Sequence, residues 1–182
     1  RARWRCPVAR DITIANLQSH MHRRGVGYQA QVAGGPVIYQ TTSWQQVPVA
    51  RFDGGLAVAA GSQLDYWCDY DNAEARDVYQ GTRSTDEMCM LIGSYYPADP
   101  ALANCLAADG SLAGEWIGNG TATCAATLGC LQGAGDLRAV TDCMDAASPT
   151  VARTSSALVA CFGAHDDPVT ACAAQITACQ AE

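Results

Sequence analysis

Ten cysteines, an even number spread from Cys6 to Cys179, constrain this chain of 182 residues more than any other feature. No two of them form a C-x-x-C pair, so a zinc ribbon or a thioredoxin-type redox site has no support. Disulfides formed in an oxidising compartment are the better account, which predicts a secreted or periplasmic protein. The chain opens on "RARWRC", with neither an initiator Met nor an apolar leader segment, and reads as a mature form or a fragment of something longer. No apolar run reaches the roughly 18 residues a membrane span needs. The formal net charge of −7 argues against nucleic acid or an anionic membrane as partner.

The first 106 residues read as β. Short segments with alternating or continuous apolar residues ("DITIANLQ", "GYQAQV", "PVIYQTT", "QQVPVARF", "LAVAAG", "LDYWCDY", "EMCMLIGSYY") are punctuated by Gly, Pro, Asp and Asn. This pattern predicts a mainly β fold, an antiparallel β-sandwich of jelly-roll-like type. Pro48 removes a ladder donor and puts its segment at an edge. The glycine pairs at 34–35 and 54–55 read as hairpin turns, since neither leads into a helix bearing a phosphate-loop signature. No G-x-S-x-G nucleophile elbow occurs. In the β part a Cys68–Cys89 bridge would pin two strands, and Cys6 and Cys105 would then pair by elimination.

From residue 107 onward Ala, Leu, Thr and Cys replace the strand formers. Four short helices are expected, with Asp136, Ser148 and Asp167 as N-caps and glycines closing the first helix. Residues 108–120 are the expected hinge. The chain thus divides into a β-sandwich domain, 1–106, and a Cys-rich helical tail domain, 107–182. Cys124 with Cys130, and Cys172 with Cys179, recur at about two helical turns, too far apart to bond within a pair. Bridges across helices follow; of the 15 arrangements six cysteines allow, Cys130–Cys143, Cys161–Cys172 and Cys124–Cys179 are the expected set. Such staples suit a tail too small to bury much core. "NGT" at Asn119 is a glycosylation acceptor only in a eukaryotic host.

The chain has three histidines, and two of them stand in "QSHMHRRG", residues 18–25. Residues i and i+2 of a strand share a face, so His20 and His22 project together while Met21 turns away. That geometry offers two imidazoles to one metal ion, or forms an exposed pair at a strand end. Arg23 and Arg24 behind them read as a solvated pair, or as charges steering an anion inward. His165, in "FGAHDDP", reads as a helix-end residue.

The runs "LQSHMHRRG", "CDYDN" and "STDEMCMLIGSYYP", followed by Cys105, together resemble the C-terminal, oxygen-activating domain of the copper type II, ascorbate-dependent monooxygenases. This is the family of dopamine β-monooxygenase and peptidylglycine α-hydroxylating monooxygenase. The likeness spans about residues 6–105. It implies one copper ion held by His20, His22 and Met88, which would also be the residues of catalysis. It implies Cys6–Cys105 and Cys68–Cys89 as bridges, and O₂ with a small-molecule substrate as partners. Two imidazoles accept either oxidation state of copper, and a thioether favours Cu(I).

Departures from the family pattern bound the function. Gln18, Met90 and Ile92 stand where the peptide-amidating branch holds a substrate carboxylate, and none is a cation. The family's second copper needs three histidines, and only His165 remains after His20 and His22. The first expectation is therefore a domain that activates O₂ for C–H hydroxylation when joined to an N-terminal copper domain absent from this chain. The alternative is an exported single-copper binding or carrier module without turnover. A third is a sandwich that has lost its metal role.

Overall fold

Burial along residues 12–21 follows strand alternation with a single break. Ile12 and Ile14 point inward, as do Leu17, Ser19 and Met21, and the change of phase between Ile14 and Leu17 marks a bulge. The computed structural model describes residues 1–107 and 110–182. It resolves into two compact units, Arg1–Ser111 and Leu112–Glu182.

The first unit holds β1 (Ala2–Pro7), β2 (Ile12–Met21), β3 (Gly25–Val32), β4 (Val37–Thr41), β5 (Ala50–Val58), β6 (Gln63–Tyr70) and β7 (Cys89–Tyr96), then a short helix, α1 (Pro100–Ala103). One sheet runs β4-β3-β6-β1 and the other β5-β2-β7, every pairing antiparallel. Ile12, Ile14, Leu17 and Met21 of one sheet meet Tyr28, Ala30, Tyr39 and Leu64 of the other in a common core. This is the expected β-sandwich arrangement. Cys68 and Cys89 cross-link β6 to β7, and so one sheet to the other, while Cys6–Cys105 ties β1 to the segment after α1.

Two local expectations need correction. Residues 54–55 are no hairpin turn: they lie inside β5, where Ile14 faces Leu56 but Asn16 already faces Arg51. Gly55 has φ +83°, and a Cβ there would sit 2.2 Å from Thr13 Cγ2, so glycine lets the extra loop of β5 lie against β2. Pro48 stands just before β5 rather than within it, and β5 is an edge strand. The first strand, β1, falls in "RARWRCP", a segment not among the strands named from the sequence. Two of the segment's arginines are met across the sheet: Arg5 makes two hydrogen bonds, 2.6 and 2.9 Å, to Asp65, its register partner on β6, and Arg1 pairs with Asp69.

The second unit contains a two-residue strand, β8 (Glu115–Trp116), and five helices: α2 (Cys124–Gln132), α3 (Leu137–Ala146), α4 (Ala152–Ala164), α5 (Pro168–Ala171) and α6 (Ala173–Gln180). Of the expected hinge, residues 108 and 109 lie outside the described residues, and β8 falls within the rest. Asp136, Ser148 and Asp167 each accept a backbone N–H as caps, as does Thr123. Ser148 caps a 3-10 turn, Pro149–Val151, that precedes α4. The fourth expected helix is broken at Cys172 into α5 and α6. Cys124–Cys179 joins α2 to α6, Cys130–Cys143 joins α2 to α3, and Cys161–Cys172 joins α4 to that break. Cys124 and Cys179 are fully buried beside Leu128 and Leu158.

Two measurements test these assignments. Burial raises the hydroxyl pKa of Tyr28, Tyr66 and Tyr70, that of Tyr66 to about 12. An unfolded tyrosine ionises near ~10. The native state therefore binds more protons above that pH, and stability falls as pH rises through the window between. The urea midpoint of the first unit should drop as pH rises from about 10 to about 12, with tyrosinate absorption appearing together with unfolding. Replacing Cys124 and Cys179 by Ala should cost about 2–5 kcal/mol, read as a lower thermal midpoint of the helical circular dichroism.

Candidate metal centre

Strand β2 and the residue that follows it bring two imidazoles, His20 and His22, close together. Ser19 and Met21 are buried, and His20 and His22, between and beyond them, are only half-buried. Their ring centroids lie 5.2 Å apart, edge to face at 88°. The chain then turns over His22–Gly25, closed by the Gly25 N–H on the His22 carbonyl at 2.9 Å. A Cβ on Gly25 would fall 2.8 Å from Met21 Cβ and Sδ, so glycine lets β3 start hard against the end of β2.

The tautomer of His22 follows from its contact. Its Nδ1 lies 3.0 Å from the Asp86 carbonyl oxygen, which can only accept. Nδ1 therefore donates to it; in the neutral ring this leaves the lone pair on Nε2, the arrangement of a metal-ligating histidine whose other nitrogen is anchored.

The facing segment comes from β7. Its register on β2 pairs Gln18 with Ile92, His20 with Met90 and Met21 with Cys89. The ladder ends at Met21–Cys89, so His22 is the residue after β2 and Met88 the residue before β7. Met88 is half-buried, and its carbonyl accepts the Tyr70 hydroxyl at 2.8 Å. Burial raises the Tyr70 pKa, and the Glu87 charge raises it further, so Tyr70 stays a donor. Thus "CDYDN" gains a structural sense. Cys68 bridges to Cys89, Tyr70 holds Met88, and Asn72 accepts from the Glu74 N–H and donates to the Arg76 carbonyl.

Sequence reasoning missed an ionic cluster beneath the turn. Glu87, 6% exposed, accepts the backbone N–H groups of both His22 and Arg24 and the Arg24 guanidinium at 3.1 Å. Arg24 is also 6% exposed and reaches Glu74, which further accepts from Arg23 and Arg76. Arg24 is therefore not half of a solvated pair; Arg23 is exposed. Desolvation opposes the charge on Arg24, but its hydrogen bonds to Glu74 and Glu87 more than offset it and raise its pKa. The Arg24 hydrogen bond, ahead of those from Arg76 and Arg23, holds the Glu74 carboxyl below its ordinary value. The remaining histidine, His165, stands apart in the second unit as the C-cap of α4.

The family model for the copper type II ascorbate-dependent monooxygenase C-terminal domain matches residues 6–111. The chain belongs to this family. The match ends where the first unit ends, and the helical unit lies outside it. No curated protein sequence matches the chain significantly. Membership in the copper type II family implies use of copper, with O₂ and a substrate as partners. Five disulfides and this family fit an oxidising compartment. Among the described residues no helix is long and apolar enough to cross a membrane.

Tyr70→Phe deletes the donor to the Met88 carbonyl. It should cost about 1 kcal/mol of stability, measured by urea unfolding of the whole chain.

Proposed function

We propose that residues 1–106 form the mononuclear copper-binding domain of a copper monooxygenase-like protein, with His20, His22 and Met88 as ligands to one ion. The observation that carries this reading is the imidazole pair. The two rings lie 5.2 Å apart, and the neutral His22 ring is held with its Nε2 lone pair free. The donor set suits copper. Among the described residues no three His, Cys, Asp or Glu side chains gather closely enough to hold a metal ion. The third ligand of this reading is the Met88 thioether, one residue before β7, and its softness favours Cu(I).

Bound copper would supply a one-electron couple with a coordination position open to O₂. The protein's own part is to orient. The Asp86 carbonyl fixes the His22 ring, Glu87 fixes the turn that follows, and Tyr70 fixes the backbone of Met88. Gln18, Met90 and Ile92, cross-strand neighbours beside the imidazoles, offer no cation, which disfavours a peptide carboxylate as substrate. Hydroxylation of a C–H bond needs a second electron source. The chain has one histidine besides His20 and His22, so that source is a second, His-rich copper domain. The disulfide-stapled tail, 107–182, is a separate domain outside the copper chemistry, and the protein works in a secreted or periplasmic setting.

The same histidine count favours one other reading, an exported module that carries a single copper without turnover. Metal analysis after Cu(I) loading separates the readings. Either copper role predicts one copper per chain in the wild type, lost in His20→Ala and His22→Ala. Substrate-dependent O₂ consumption on adding a His-rich copper domain supports the monooxygenase, and its absence supports the carrier. A wild-type chain that retains no copper overturns both.

A further inference from the structure

The loop that carries Met88 is fixed residue by residue. The Asp86 carbonyl accepts from His22 Nδ1, and the Glu87 carboxylate accepts from His22, from the Arg24 backbone and from the Arg24 side chain. The Met88 carbonyl accepts from Tyr70, and Cys89 is bridged to Cys68. The Thr85 carbonyl accepts from Arg24 at 3.3 Å and Arg76 at 2.7 Å. Five consecutive residues, Thr85 to Cys89, are thus each tied to another part of the chain. Three of these ties, at Thr85, Glu87 and Asp86, involve the turn His22–Arg24 itself.

One carboxylate closes the arrangement from outside. Glu74 gathers Arg23, Arg24 and Arg76, and its side chain is 33% exposed, unlike those of Arg24 and Glu87 at 5% and 8%. Without Glu74, Arg24 keeps Glu87 but loses the anion that holds the far side of its guanidinium. Arg76 loses its carboxylate partner as well, and both donors to the Thr85 carbonyl loosen together.

Resting on the copper reading above, we propose that Glu74 is a remote positioning residue for the thioether of Met88. It locks Arg24, which locks Glu87 and Thr85, and so holds the Met88 loop against the two histidines. His20 depends on it less, because it lies inside the β2–β7 ladder, whereas His22 is tied to the same loop through the Asp86 carbonyl and Glu87. Loss of Glu74 should therefore weaken the sulfur ligand most and His20 least.

The test uses the full chain and copper alone as probe. X-ray absorption of the Cu(I)-loaded wild type should show a sulfur scatterer beside two imidazoles, and Met88→Leu should abolish it. If the wild type shows none, the copper reading itself fails. Given that signal, Glu74→Gln should reduce or remove the sulfur contribution and weaken Cu(I) binding by about 10–100-fold. Cu(II) binding, which gains little from a thioether, should change much less. The Cu(II)/Cu(I) potential should accordingly fall by roughly 60–120 mV, that fold-change converted at 59 mV per decade. Asp69→Asn breaks a comparably exposed ion pair with Arg1 on β6 and should leave both affinities unchanged. Full retention of the sulfur scatterer and of Cu(I) affinity in Glu74→Gln overturns the proposal. So does an equal loss of Cu(I) and Cu(II) affinity, or an equal effect of Asp69→Asn.

Discussion

The antiparallel pairing of β2 with β7 is the constraint on which the rest depends. Eight residue pairs, from Thr13–Tyr96 to Met21–Cys89, run along this ladder. Because side chains alternate at every residue, that register decides two things together. Leu17, Met21, Cys89 and Leu91 face the other sheet, and Gln18, His20, Met90 and Ile92 face away from it. A slip by one residue would bury both histidines and expose the core. The Cys68–Cys89 bridge guards against such a slip at the histidine end, where β7 begins.

At that end hydrophobic packing gives way to charge. A buried arginine beside a buried carboxylate is costly unless every donor and lone pair finds a partner. Here Glu87 accepts two backbone N–H groups besides the guanidinium, and Arg24 extends to Glu74 and the Thr85 carbonyl, though its buried Nε finds no partner. Partners of this kind gain geometry more than stability. They define one arrangement for a turn and a loop that apolar contacts alone would leave free to shift. The proposed site of two rings and a thioether would tolerate little shift, which is a reason for polar clamps here and apolar packing elsewhere in the sandwich.

The helical unit solves a different problem. Its helices are short, and its core is a small group around Leu128, Leu131, Val151 and Leu158. Cys124 and Cys130 of α2 each bond a different helix, and Cys161 reaches the break between α5 and α6. Each bridge limits the unfolded ensemble, contributing ~2–4 kcal/mol in a unit that buries little apolar surface.

Several features were legible in the sequence because they are local. Alternation located most strands, the spacing of His20 and His22 brought their rings close together, and short polar residues before apolar runs marked the caps Asp136, Ser148 and Asp167. Ordered motifs pointed to the copper family, and helical spacing forbade bonds within the tail's cysteine pairs. What the sequence could not determine were contacts between residues about forty to seventy apart. Arg24 beside Arg23 looks solvated until Glu74 and Glu87 arrive from another loop. The partners of Arg1 and Arg5 are invisible until Asp69 and Asp65 of β6 lie across from them. Gly54–Gly55 look like a turn until β2 is laid against them. The tertiary structure alone decided these, because charge and backbone cost depend on what lies across the sheet, and no local pattern records that neighbour.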